Sequence, residues 1–268
     1  MNLNQLFDRL WHDYTTQNPK AAKIYNLFTD KGEQVVNDHI AFRTYNDPRI
    51  NIDRLSSVFE SKGYVEGGKY EFKEKKLNAR HYELPDSPEA PRVFISELKV
   101  EAFSPFLQQT INNLIDKLDD STLTNEELIV SGNPWGMPIY DTYQKLREES
   151  EYAAWLYVYG FRANHFTVSV NHLKQYNSIE KVNEFLKKNG FELNSSGGEI
   201  KGSPAELLEQ SSTRANIIPV TFVEGTFNIP SCYYEFARRY VDQSGKLYSG
   251  FIAKSADKIF ESTDSQDK

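Results

Sequence analysis

The sequence predicts an α+β fold in which two pseudo-repeated βαβββ units form a partly closed, barrel-like mixed sheet, with additional helices at the N-terminus and between the units. Three observations carry that expectation. A strand pattern headed by histidine occurs twice, as Asp38-His39-Ile40-Ala41-Phe42-Arg43-Thr44 and as Asn164-His165-Phe166-Thr167-Val168-Ser169-Val170. Each copy precedes an apolar stripe at helical spacing: Ile52, Leu55, Val58 and Phe59, then Ile179, Val182, Phe185 and Leu186. Each stripe ends four residues before a glycine, Gly63 or Gly190, which suits a left-handed helix cap. Histidine and glycine are 24 positions apart in the first copy and 25 in the second, so the copies differ by one loop residue.

The elements follow in order. Leu3, Leu6, Phe7, Leu10, Trp11 and Tyr14 make a helical stripe, and a second helix is expected over 22–28, giving an N-terminal helical segment over 1–35. The first unit spans 36–100. Its helix is followed by Tyr64-Val65-Glu66-Gly67-Gly68, which has its likeness in the second unit from Phe191 to Gly197-Gly198, and by strands over Arg80–Leu84 and Val93–Leu98. A helical insert fills 101–160. Phe103, Phe106, Leu107, Ile111, Leu114, Ile115 and Leu118 keep helical spacing, Asn133-Pro134-Trp135-Gly136 is a turn cluster, and one further helix is expected over 141–157. The second unit and a C-terminal segment occupy 161–260, with strands over 216–222 and Cys232–Ala237. An insert at 203–213 opens with Ser203-Pro204, which reads as a helix start. A polar tail covers 261–268.

The 268 residues carry a net charge of −7 with no basic stripe, which argues against nucleic-acid binding. A single cysteine, Cys232, excludes an internal disulfide and fits a reducing compartment. No segment approaches the ~18 apolar residues that span a membrane. The opening Met1–Gln5 shows no basic start and apolar run. The expectation is a cytoplasmic protein without membrane or nucleic-acid partners, either monomeric or homodimeric.

Side chains alternate along a strand, so His39, Ala41 and Arg43 share one face, as do His165, Thr167 and Ser169. Those faces are small and polar, as the lining of a cavity is. Two imidazoles at matched points of a repeat need one carboxylate to complete a metal site with open positions, the arrangement of non-haem Fe(II) oxygenases. Zinc, manganese or nickel would accept the same ligands. Glu235, among the aromatics of Cys232-Tyr233-Tyr234-Glu235-Phe236-Ala237, is the leading third ligand, because an unpaired buried carboxylate is costly. The alternative is an ion pair with Arg238 or Arg239. Glu97 is a rival ligand, expected at the corresponding point of the first unit, or a partner holding an imidazole. His81 and Glu83 form the next rival set, while His12 and His172 are weaker candidates. Arg43 lies roughly 13 Å along the strand from His39 at ~3.3 Å per residue, and its fork suits a substrate carboxylate. It would otherwise pair with Asp38 or Asp47.

Asn37 to Thr44, Asn164-His165-Phe166-Thr167 and Tyr233-Tyr234-Glu235-Phe236 together resemble the 2-oxoadipate dioxygenase/decarboxylase family, which is related to the vicinal-oxygen-chelate enzymes. The resemblance covers roughly residues 36–260. It implies Fe(II) held by His39, His165 and Glu235, a substrate arginine at Arg43, and a substrate-binding Ser-Ala pair at Ser255-Ala256. Ser255 would otherwise cap a helix over 256–260. Thr167 is a further candidate for substrate contact. The implied reaction takes a small 2-oxo dicarboxylic acid, 2-oxoadipate, with O2 to 2-hydroxyglutarate and CO2 in lysine breakdown. The alternatives are another metal-dependent enzyme on this scaffold (a glyoxalase-like lyase or isomerase, or a hydrolase) and a metal-free module that binds a small ligand.

Overall fold

A computed structural model describes residues 1–124 and 126–261. The chain opens with helices α1 (Leu3–Gln17) and α2 (Pro19–Asp30), then strand β1 (Asn37–Tyr45), helix α3 (Ile52–Glu60) and strands β2 (Val65–Phe72), β3 (Leu77–Glu83) and β4 (Arg92–Leu98). Helices α4 (Pro105–Ile115), α5 (Asp120–Thr124), α6 (Tyr140–Glu149) and α7 (Glu151–Tyr159) lead to β5 (Ala163–Ser169) and α8 (Ile179–Lys188). Strands β6 (Lys201–Ser203), β7 (Leu208–Ser212), β8 (Ile217–Phe222), β9 (Gly225–Pro230) and β10 (Tyr233–Arg239) follow, and α9 (Ala253–Phe260) closes the described chain. The expected tail at 262–268 lies outside the described residues.

Eight strands form one curled mixed sheet in the order β2-β3-β4-β1-β5-β10-β7-β6. The order is a palindrome of the two units. β1 pairs with β4 in parallel as β5 pairs with β10, and the units join where β1 and β5 run antiparallel. The repeat is therefore a pseudo-twofold relation centred on the two histidine strands.

Local chemistry sets the repeated helices. Asn51 caps α3 by accepting from Arg54 N, and Ser178 caps α8 by accepting from Lys181 N. Ile52, Leu55, Val58 and Phe59 are buried under the sheet, as are Ile179, Val182, Phe185 and Leu186. Each such side chain contributes about 2 kcal/mol on leaving water. Gly63 and Gly190 adopt φ of +95° and +81°, which Cβ-bearing residues resist.

The second unit departs from expectation in two places. Residues 203–213 hold a single helical turn at Pro204–Glu206 and then β7, a strand of the main sheet. The strand expected over 216–222 is β8, which pairs only with β9 in a separate hairpin. The expected helix over 141–157 is two helices broken at Ser150. Ser150 is extended (φ −157°, ψ 108°) and its side chain accepts from Ala153 N to start α7. Among the described residues no helix is long and apolar enough to cross a membrane.

Candidate metal centre

The register at the seam brings the repeated faces together. His39 lies opposite Thr167 and Ala41 opposite His165, while Tyr233 and Glu235 of β10 sit beside His165 and Thr167. His39 Nε2 is 3.6 Å from Glu235 Oε1, and His165 Nε2 is 3.1 Å from Glu235 Oε2. One ligand atom from each of the three residues lies within 4.8 Å of the other two, and all three side chains are buried. Neighbouring ligands about 2.1 Å from one ion sit roughly 3 Å apart, so the spacing fits a single metal. Glu235 Oε1 accepts from Gln210 Nε2 at 2.6 Å, whereas Oε2 is buried without an aligned hydrogen bond. That orphaned oxygen between two imidazoles is the donor a cation completes.

The neighbours set the tautomers. His39 Nδ1 lies 2.8 Å from Asp38 Oδ1, and a carboxylate only accepts, so Nδ1 carries the proton and Nε2 offers a lone pair. His165 Nδ1 meets Asn164 Oδ1 at 3.1 Å, with the same result for its Nε2. Thr167 Oγ1 donates to His39 Nε2 at 3.0 Å. Asp38 is in turn gripped by Arg239, with Nε and Nη2 at 2.8 and 2.9 Å. Burial pushes the Asp38 carboxyl up, but Arg239 and His39 outweigh it and hold the group well below the carboxylate range. Burial pushes His165 down, against the pull of Glu235. Burial likewise pushes Glu235 up, yet His165, His39 and Gln210 keep it below its ordinary value. A neutral histidine and an ionised glutamate are the forms metals bind.

The centre lines a small inner cavity of about 20 Å³, walled also by Phe94, Gln210, Tyr233, Phe251, Ile259 and Phe260. Arg43 lies outside that wall and lines an outer basin of about 300 Å³ that opens to solvent, and Phe260 borders both spaces. The Arg43 guanidinium stacks over Tyr152 (4.9 Å) and Trp155 (5.0 Å), and its Nε and Nη1 are buried without a hydrogen-bond partner. It pairs with neither Asp38 nor Asp47. Asp47 instead binds Arg49 at 2.8 Å.

Several sequence expectations resolve differently. Under the pseudo-twofold, Phe94 pairs with Ala41 as Glu235 pairs with Thr167, so Phe94 is the counterpart of Glu235, not Glu97. Glu97 points to the opposite face, where it accepts from Ile52 N at 3.0 Å and holds the start of α3. His81 and Glu83 bind each other at 2.8 Å, away from the triad. Gly67 makes room for that ring, because a Cβ there would stand 2.3 Å from His81 Nε2. His12 is exposed on α1, and His172 binds Glu89 at 2.7 Å. Arg239 holds Asp38 and Arg238 stacks on Tyr240, so neither neutralises Glu235. Ser255 is not a cap. It lies in the first turn of α9, whose N-cap is Ile252, and its Oγ faces Gly202 of β6. Asp38 and Asn164 went unassigned in the sequence, although a polar residue preceding each repeated histidine was the available signal.

Paired βαβββ units closing around two histidines and one carboxylate define an enzyme scaffold built about a candidate metal centre. The chain belongs to the 2-oxoadipate dioxygenase/decarboxylase family, whose model matches residues 6–248. A 2-oxoadipate dioxygenase/decarboxylase of Oryza sativa subsp. japonica, chloroplastic/amyloplastic, is 39% identical over 93% of this chain and 75% of its own length. The crystal structure of the Oryza sativa hydroxyglutarate synthase in complex with 2-oxoadipate matches at TM-score 0.90 and 38% identity, covering 97% of this chain and 91% of that one. A Shewanella frigidimarina NCIMB 400 protein, provisionally described as a hydrolase, matches at TM-score 0.88 and 53% identity, covering 94% and 98%.

Proposed function

We propose that this chain is an Fe(II)-dependent dioxygenase that converts 2-oxoadipate and O2 into 2-hydroxyglutarate and CO2, a step of lysine breakdown. The observation that carries the reading is the meeting of His39, His165 and Glu235 within reach of one ion. Family membership and the 2-oxoadipate held by the rice relative support it.

His39, His165 and Glu235 would hold the metal. Fe(II) there supplies the redox chemistry with O2 and open positions for a 2-oxo acid. Zinc, manganese or nickel would fit the same donors without that redox chemistry being implied. The chain's own groups do the rest. Asp38 and Asn164 fix the imidazole planes. Phe94, Phe251, Ile259 and Phe260 exclude water from the inner cavity. Arg43, a buried cation lacking hydrogen-bond partners at two of its nitrogens, binds the remote carboxylate and selects a dicarboxylic acid. With His39 Nε2 turned to the metal, the Thr167 hydroxyl is left to orient the 2-oxo acid end. Ser255, on the helix that closes the cavity, is the further substrate contact that the family resemblance assigns. The buried Cys232 thiol, pushed up to about 12 by burial, is inert, which suits a reducing compartment such as the cytoplasm.

Anaerobically Fe(II)-loaded protein in an oxygen electrode is expected to consume O2 with 2-oxoadipate, to release 2-hydroxyglutarate, and to act far more slowly on 2-oxoglutarate. No uptake with either acid removes the reading and leaves an oxygen-independent lyase, isomerase or hydrolase.

A further inference from the structure

Tyr233 is a group that the reaction outlined above leaves unused. It is fully buried, it lines the inner cavity, and its hydroxyl proton is donated to no partner. A buried phenol left unpaired costs free energy of order 1–3 kcal/mol, so such a group in a cavity wall points to a missing ligand. Its placement says which part of the ligand. The ring stacks on His165, with centroids 4.6 Å apart and planes at 26°. The hydroxyl oxygen also faces the Arg43 guanidinium, within reach of a hydrogen bond that it would accept, so its own proton is the part left without a partner. Tyr233 therefore stands between the metal triad and the buried cation, on the wall of the inner cavity. Arg43 Nε and Nη1 lack aligned acceptors, and the Tyr233 hydroxyl proton is undonated. Three unsatisfied donors of this kind match the oxygens of one carboxylate.

We infer that Tyr233 is a specificity-determining residue, donating its hydroxyl hydrogen bond, together with Arg43, to the remote carboxylate of the dicarboxylic substrate. The inference rests on the proposed 2-oxo dicarboxylate reading and deepens it. A phenol carries its proton at neutral pH and can donate it. Arg43 alone recognises charge, whereas the phenol adds a fixed direction and so a fixed chain length. The ring has a separate duty in holding the plane of His165. Tyr233→Phe keeps the ring and removes only the donor.

The test compares two 2-oxo acids of equal chain length on Fe(II)-loaded, anaerobic protein: 2-oxoadipate, with a remote carboxylate, and 2-oxohexanoate, with a methyl in its place. Binding is read by calorimetric titration and metal content by elemental analysis. Tyr233→Phe is expected to retain full metal, to weaken 2-oxoadipate roughly 10- to 100-fold, and to change 2-oxohexanoate less than about twofold. Equal weakening of both acids would overturn the inference, because the hydroxyl would then serve the 2-oxo end or the fold. Unchanged 2-oxoadipate binding would overturn it as well. Selective weakening in a protein that takes up no oxygen would uphold Tyr233 and remove the dioxygenase reading. Binding of neither acid by the unaltered protein would remove both.

Discussion

Asp38 and Asn164 occupy the same position of the repeat, and each accepts from the imidazole that follows it, yet one is a carboxylate and the other an amide. The carboxylate holds the His39 ring as a ligand more strongly than the amide holds that of His165. Asp38→Asn is expected to loosen metal about 10- to 100-fold in equilibrium dialysis. The same change leaves the buried Arg239 charge poorly matched, at a cost approaching the 3–5 kcal/mol of a broken buried pair in denaturant titration. Glu235→Gln should abolish metal retention with the far-ultraviolet circular dichroism unchanged, and full occupancy in that variant would assign the ligand elsewhere. The triad was legible in the sequence because each member breaks a local rule. Two histidines head strands whose faces are otherwise small and polar, and a glutamate interrupts an aromatic run. Tyr233 was not legible, because an aromatic in such a strand reads as core. Nor were the partners of Arg43, since Tyr152 and Trp155 come from a helix more than a hundred residues away.

The elements that escaped the sequence reading did so for physical reasons. β7 reads Leu-Glu-Gln-Ser-Ser and lacks the branched and aromatic residues that mark strands. It is polar on both faces: Gln210 reaches Glu235 at the site, and on the other side Ser211 donates to Asn183 Oδ1 of α8 at 2.7 Å. β8 alternates as a strand should, but it spends that pattern on a hairpin outside the main sheet. The break between α6 and α7 hides inside a continuous helical composition and shows only as the capping Ser150. α7 is buried along its length from Tyr152 to Tyr159, so its start must be fixed for Tyr152 and Trp155 to meet Arg43. Ser150→Ala is expected to cost about 1 kcal/mol by urea titration.

At the scale of the molecule, the repeat of two βαβββ units was legible, whereas the palindromic strand order and the antiparallel seam between β1 and β5 came only with the structure. The asymmetry was not implied, because Phe94 and Glu235 differ in chemistry while sharing a position. On the alkaline side, global stability carries a pH signature from the interior. Lys201 is buried on β6, where its Nζ donates to the Asn194 carbonyl at 2.6 Å, and burial lowers its pKa from 10.5 to about 8. Between those two values the unfolded chain holds the proton that the folded chain has released. Stability should therefore rise with pH from about 8 to 10.5, by at most about 1.4 kcal/mol per unit. Lys201→Met should remove that rise, as read by thermal melts at fixed ionic strength.

The broken symmetry has one more consequence. Severed between its two units, the chain would leave one imidazole on the leading piece, with the other imidazole and the carboxylate on the trailing piece. Neither fragment owns a full chelating set. Ion capture by the mixed pieces would then signal that β1 and β5 had re-annealed, making the centre a native reporter of fragment complementation.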